Sequence, residues 1–552
     1  MADLTFGVTG GTGLVSPGSL IPDRAVGLSG WFGAAPSYDW LLVDRAARVI
    51  NWSLAGIPGG IPNRTTIYTT LASGSSASQI NTAISNCPTN QVVALAAGTF
   101  NISSTITMKS GVTLRGAGPG VTTINSTFNG NLITCYGSLD QVGAVGITAG
   151  NTKGSQTITL SNSSTFAAGH LVVVDELNDS SFVTTDGGEG PCTWCSRDDG
   201  ARTLGECHIV SSKSGNDITL SNPLAYGYSH TPQAFIWSMS PIVDAGIENL
   251  TLHANSTSYT DAIGIDMICA ARCWAYKVEF SGLPKKGIWM EACTMIESKR
   301  CYQHDPGNWG ADHGYAISSQ YQSSYSKFED NIFVAMHAHI AFGSGGGTGN
   351  VAAYNYGHNC KHESANWFIH CYATHGAHTY MNLWEGNVMP KIGFDAIWGS
   401  GSHQLILRNN IRDANPGIAV NTNLAGIQMA AYQTNDSFVG NVLGYVGYGG
   451  TYDYVSDGAY CLWQFMSGTP PGLIRHGNYD YATLTTKWEE SISGHGIPNS
   501  MYLASKPSWF GSLAWPPFGP DISGYINDIP AKRRWDNYQS SGVLADLFAD
   551  TP

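Results

Sequence analysis

Apolar positions along most of this chain alternate with polar ones at a period of two. Residues 91–126 (QVVALAAGTFNISSTITMKSGVTLRGAGPGVTTINS) break into short β-branched runs separated by Gly or polar turns, the pattern of successive short strands. The stretch before them differs. In SSASQINTAISNCP (75–88) Ser residues offer an N-cap, Ile80 and Ile84 sit one helical turn apart, and Pro88 stops the run, so a helix is predicted there. A second helix is predicted only near the end, at TLTTKWEESISG (483–494). Between them one local motif recurs: an apolar run, an Asn, then an apolar pair. It surrounds Asn249, Asn331, Asn350, Asn387, Asn410 and Asn441. The steps from 387 to 410 and from 410 to 441 fall in the range of about 20–50 residues that marks stacked supersecondary units.

Short strands at this spacing, without helices between them, predict an all-β chain wound as a parallel β-helix. Each coil exposes apolar residues that it cannot bury alone, and stacking buries them in a continuous core. The recurring Asn then belongs in the turns, where its side chain can bond up and down the stack and its backbone tolerates left-handed conformations. Three regions follow: an extended, Gly- and Pro-rich segment (1–65); the β-helix (66–449); and a C-terminal cap (450–552) that covers the open end and packs along the side. Residues of about 165–235 lose the coil spacing. Their charged, Gly-rich part (DGGEGPCTWCSRDDGAR, 186–202) reads as a loop insertion of the kind that walls a groove.

The predicted cap helix followed by AGTFNISSTITMKSGVTLRGAGPGVTTI resembles the opening of the pectin-lyase-like superfamily of right-handed parallel β-helices. GADHGYAISSQ (310–320), HGAHTYMNLWEGN (375–387), IGFDAIWGS (392–400) and MYLASKPSWFGSLAWPPFGPD (501–521) resemble secreted bacterial pectate-lyase-like and β-helix repeat proteins. The resemblance spans about 50–552. It implies a right-handed parallel β-helix with an N-terminal cap helix, secretion, and a polysaccharide as substrate. This superfold hosts hydrolases, lyases and phage depolymerase spikes, so it does not choose the reaction.

Charge narrows the partners. Only 12% of residues are charged, and 27 basic against 40 acidic residues give a net charge of −13. Nucleic acid is disfavoured, because its binding needs basic patches. No apolar run is long enough to cross a membrane, and MADLTFGVTGG shows no signal-peptide pattern. No cofactor is expected, beyond a structural Ca2+ or Zn2+ at most. Cys192, Cys195 and Cys207, next to His208, are open to three readings: a zinc site, a local disulfide or free thiols. Cys269, Cys273, Cys293, Cys301, Cys360 and Cys371 read as small buried hydrophobes.

Histidine is unevenly spread: ten of 16 lie between 304 and 403, among many Trp and Tyr. Flat aromatic faces beside polar groups are what a glycan groove needs. Strand alternation in MHAHIAF puts His337 and His339 on one face, outward if the apolar face is core. Glycoside hydrolysis requires two carboxyl groups. The candidates are Asp395, in an apolar strand between Phe394 and Trp398, Asp312 in WGADHGY, and Glu385, with His375 and His378 assisting. Glu385 and Arg408, each two residues before its Asn, are expected to stack as neighbours. Trp309, Tyr315, His337, His339, Trp384, Trp398 and Arg408 are the expected sugar contacts, and no metal ligands are assigned. A uronate lyase would use His375, His378, Tyr315, Tyr380, Lys391 or Arg408 instead. The scarcity of Lys and Arg ranks hydrolysis first, elimination second, and non-catalytic glycan binding third.

Overall fold

Stacked parallel strands build the body of this protein, seen in a computed structural model that describes residues 48–254, 258–310, 312–343, 345, 347–412, 422–454 and 460–551. Most of the N-terminal extended segment (1–47) lies outside the described residues. The sequence-predicted helix forms as α1 (Ala77–Asn86). Ser76 caps it in a reciprocal capping box with Gln79, and its Ile80 and Ile84 close the N-terminal end of the core.

Three long parallel ladders run along the stack, with a shorter five-stranded one beside them. One sheet carries the site discussed below, and its strands are numbered here: β1 (Ile106–Thr107), β2 (Ile133–Tyr136), β3 (Ile263–Ile268), β4 (Lys286–Glu291), β5 (Tyr315–Gln320), β6 (Ala338–Phe342), β7 (Tyr372–Thr374), β8 (Ile392–Phe394), β9 (Ile427–Met429), β10 (Thr451–Tyr454) and β11 (Cys461–Phe465). They pair in the order β1 to β9, then β11, then β10. The other two ladders join into a 22-stranded sheet, because Gly246–Ala254 and Trp274–Ser281 run through both. Ile265, Ile288, Ile317, Ile340, Tyr372, Ile392, Ile427 and Trp463 align in register and point into the core.

The recurring Asn marks one corner of the coil, with a register that the sequence pattern only partly predicts. An unbroken ladder runs through Asn331, Asn355, Asn387, Asn409, Asn441 and Asn478. Each amide oxygen accepts from the backbone N–H and side chain of the Asn one coil earlier. Asn409, not Asn410, is the member from LRNNIR, and Asn350 stacks on Asn382 in a separate turn. The residue before each ladder Asn is left-handed, with φ from 50 to 66° at Asp330, Tyr354, Gly386, Arg408, Gly440 and Gly477. Arg408 is therefore a corner residue. The strand neighbour of Glu385 is Leu407. Replacing Asn387 by Ala strips partners from Asn355, from the Ala352 carbonyl and from Asn409, all buried. Such losses cost about 1–3 kcal/mol per unsatisfied group, so Asn387→Ala is expected to lower the urea midpoint by several tenths of a molar or more at unchanged m-value.

The insertion is present and is larger and more ordered than a loop. Strands between Val142 and Ser238 close an antiparallel six-stranded barrel around Ile158, Leu160, Ile218 and Leu220. Its long connection docks on the residues after β8: Gly188 and Glu189 donate to the Ala396 and Ile397 carbonyls, and Trp194 packs edge-on against Trp398. The predicted helix at 483–494 does not form. Thr485–Lys487, rich in Thr, pairs as a strand against Asn478–Asp480. The C-terminal helix is instead α2 (Pro530–Ser541), begun by Pro and ended by left-handed Gly542. The tail runs back along the Asn corner, and β10 pairs with β11 at the last coil of its sheet.

Candidate functional site

Three rows of outward side chains run along the sheet of β3–β9. The middle row reads Asp266, Trp289, Ser318, Ala341, Ala373, Gly393, Gln428. Small residues at its centre leave a trough. One wall starts from the row of Lys286 and Tyr315, joined by His337 and His370 from the strand-entry loops. The other carries Glu291, Gln320, His375 and Asp395. His370 lies over Gly393, where a Cβ would collide with its ring, and is hydrogen-bonded to Gln428.

Two pairs line opposite walls of the trough, two to three coils apart along it. His375 Nδ1 is 2.7 Å from Asp395 Oδ2, both half-buried. Burial pulls the imidazole pKa down, but the Asp395 carboxylate outweighs it and leaves His375 above its ordinary value. Burial pushes Asp395 up, and His375 outweighs that, holding it low and ionised. Opposite, the Lys286 ammonium lies 3.6 Å from the Tyr315 ring centroid and pairs with Asp312 at 2.5 Å. Burial pulls Lys286 down to about 8, against the raising effect of Asp312. Tyr315 is pushed up by burial, with smaller contributions from Asp312 and then Asp395, so it stays a neutral donor. Lys286 and Asp312 both act on His375, which places the two pairs within electrostatic reach. His337 stacks on Tyr315, donates from Nδ1 to the Trp309 carbonyl, and is pulled down to about 4 by burial; burial does the same to His370.

Of the residues expected from sequence, the trough brings together Asp395, Asp312, His375, Tyr315 and His337, with Trp309 and Trp398 at its edges. Trp309 is fixed by an indole bond to the Ala335 carbonyl, with Lys361 4.8 Å from its ring centroid. The others lie elsewhere. Glu385 is fully buried at the Asn corner, bonded to Tyr354 Oη and the Met501 N–H, and burial pushes it up to about 7. Arg408 is clamped by Asp521 and tail carbonyls. Trp384 is core, against Phe342 and Tyr372. His378 is sealed under Phe182 with both ring nitrogens on Ser400 and Ser402. His339 points inward because both His339 and Ile340 bond to the Cys371 carbonyl, a bulge that breaks strict alternation.

Sequence reading missed Lys286, Trp289 and Glu291 because they precede the His-rich window by one coil in sequence. The signal was there: KGIWME repeats the apolar phase of YAISSQ. Cys192 pairs with Cys195, while Cys207 is a free buried thiol. Cys360 and Cys371, read as buried hydrophobes, form a disulfide that closes the loop carrying His362, Trp367 and His370. Their sulfurs and His339 are the one three-donor grouping among the described residues, but bonded sulfurs offer no thiolate to a metal. A cavity of about 620 Å3 lies on the opposite flank, beside Arg115, Lys277, Lys299 and Lys327. Each of these cations is already paired, with Glu248, Asp550, Glu329 and Glu297 respectively.

No protein-family model matches the chain, and no curated protein does. The structure aligns with the tailspike of Pseudomonas phage phi297 at a TM-score of 0.52 and 13% identity, covering 73% of this chain and 62% of the tailspike. The chain is a right-handed parallel β-helix. The tailspike of Acinetobacter baumannii phage AP22, solved with capsular saccharide, also aligns (TM-score 0.44, 11% identity, 75% of this chain and 68% of that one). A polygalacturonase from Erwinia carotovora also aligns (0.33, 12%, 74% and 96%). The chain thus spans about three fifths of the length of the phi297 tailspike. At these identities the likeness fixes the winding of this β-helix and leaves its chemistry to the side chains.

Proposed function

We propose that this β-helix cleaves an acidic polysaccharide in the trough of β3–β9 by β-elimination at a uronate. Tailspikes, a polygalacturonase and an alginate lyase on the same fold support a polysaccharide as the partner. One observation carries the reaction: His375–Asp395, after β7 and β8, lies diagonally along one trough from Lys286–Tyr315, on β4 and β5, with Ala341 and Ala373 as the floor between them. Elimination needs a cation on the uronate carboxylate, a base for the proton alpha to it, and an acid for the leaving oxygen. Lys286 supplies the first, His375 oriented by Asp395 the second, and the Tyr315 hydroxyl the third. The C–H bond breaks toward His375, a C=C bond forms as the glycosidic C–O bond breaks, and the departing oxygen takes the Tyr315 proton. Hydrolysis, ranked first on sequence, fits less well. Its acid must be a protonated carboxyl; of those expected from sequence, Asp395 is held ionised, Asp312 is engaged by Lys286 and Glu385 lies under the tail, while the carboxyls that burial raises, Asp266 and Glu291, stand four or five coils from Asp395.

The pH dependence follows with its signs. His375 works as a base only when neutral, so activity rises as pH passes its raised value, above about 6.5. Lys286 must keep its proton, so activity falls above about 8. Asp395→Asn removes the carboxylate that raises His375 and moves the acid limb to lower pH. Lys286→Met abolishes the alkaline limb and lowers kcat/KM by about 10²–10³. The deciding experiment is product absorbance at about 235 nm, the unsaturated uronate left by general-base elimination. New reducing ends without that absorbance sink the reading and restore hydrolysis.

A further inference from the structure

The trough continues past Lys286 toward the N-terminal coils, and its character changes. Trp289, half-exposed, takes the middle row next to Ser318, and Lys286 Nζ sits 5.0 Å from its ring centroid. Glu291, half-exposed on the far wall, lies two residues along the same strand, and Trp289 lowers its pKa against the larger effect of burial. One coil on is Asp266, only 5% exposed. Its Oδ2 takes bonds from Asn131, at 2.6 Å, and from Tyr136, while its buried Oδ1 has no partner among the described residues. Burial pushes Asp266 up to about 6 and raises Glu291 as well, with a smaller contribution to Glu291 from the Asp266 charge. Trp289 stands three coils from His375, about 14 Å at the usual strand spacing. Trp289 shares β4 with Lys286, so its aromatic face adjoins the uronate position and meets the sugar next to it on the side away from His375.

We infer that Trp289, Glu291 and Asp266 form a second subsite that takes a neutral sugar, so that the substrate is a mixed polysaccharide in which uronates and uncharged hexoses or N-acetylhexosamines share one chain. The subsite rests on the elimination reading only for the position of the uronate. A flat indole stacks on a pyranose face, and two adjacent carboxyls exchange hydrogen bonds with hydroxyl groups. The same carboxyls repel a carboxylate, which excludes a chain made of uronate alone. The two cations at this end are both engaged, Lys285 by Asp261 at 3.8 Å and Lys286 by Asp312.

The test uses the full chain, its Trp289→Ala and Glu291→Gln variants, and a set of polymers. Polygalacturonate and alginate represent all-uronate chains, and bacterial capsular polysaccharides of known repeat represent mixed ones. Binding is read by calorimetry and cleavage by absorbance and by reducing ends. The expected result is that the tightest polymer is a mixed one, bound at least tenfold better than either uronan. Trp289→Ala should raise KM on it about tenfold with kcat unchanged, and Glu291→Gln should narrow the preference over uronans. Equal affinity for uronans, unchanged KM in Trp289→Ala, or binding to no polymer in the set overturns the subsite. If the mixed polymer binds through Trp289 but yields reducing ends without absorbance, the subsite stands and the elimination reading falls.

Discussion

His375→Ala is expected to lower kcat/KM by about 10²–10⁴, the usual worth of a positioned general base, while the fold persists. The imidazole is half-buried and its one described side-chain partner is Asp395, so truncation leaves no buried donor stranded in the core. Its loss removes the proton acceptor and frees Asp395 from the contact that keeps it ionised. Asp395→Asn should cost less, because the imidazole remains, and should keep the binding of polymer unchanged. Added imidazole should partly restore His375→Ala and should do nothing for Asp395→Asn. A His375→Ala protein with full activity would remove His375 from the reaction. The control is the melting profile, which should match that of the parent.

The second large effect concerns stability. Arg534 on α2 is fully buried and bonds to Asp330 at both carboxylate oxygens and at its carbonyl, and to the Leu547 carbonyl. Asp330 is also fully buried, and Arg300 reaches it from the neighbouring coil at 3.1 Å. Removing Arg534 leaves the buried Asp330 carboxylate with Arg300 alone and strips the Leu547 carbonyl of its donor, a loss near the lower end of the about 3–5 kcal/mol that breaking a buried pair costs. Arg534→Ala is therefore expected to lower the urea midpoint sharply and to open residues 520–551 to proteases before the coils unfold. Arg534→Met in combination with Asp330→Asn should recover much of the loss, because no charge is then left unpaired. If both variants unfold at the parental midpoint, the clasp contributes nothing.

Legibility in the sequence followed the range of the interactions. α1 is set by residues within one turn of each other, and its cap, spacing and Pro stop could be read directly. The Asn repeat showed the coil, but its register depends on which Asn reaches the corner. Asn409 and Asn410 look alike until Leu407 is seen beside Glu385. The neighbour argument for Arg408 failed for that reason, one residue of phase in a left-handed corner. His339 was misread because a bulge turns two successive side chains inward, and Trp384 because a sugar platform and a core aromatic have the same local sequence. Lys286 reaches Asp312 and His375 only across coils, so a window drawn around histidines passes it by. α2 carried its own signals in Pro530 and Gly542, whereas the Thr-rich run at 483–487 satisfied a helical spacing and a strand equally.

The inserted barrel begins and ends at one point on the coil. Ser138 and Ser238 lie side by side with their hydroxyls 2.9 Å apart, and the Ser138 N–H donates to the Ser240 carbonyl. About a hundred residues thus leave the stack and return to it without displacing the pairing of Thr122–Ser126 with Gly246–Ala254 or of β2 with β3. Descent can therefore add, trade or delete this unit in a single step while the pitch of the coils stays untouched. The wall beside Asp395 is in that sense an interchangeable part, free to diverge at a pace of its own over a core that changes slowly.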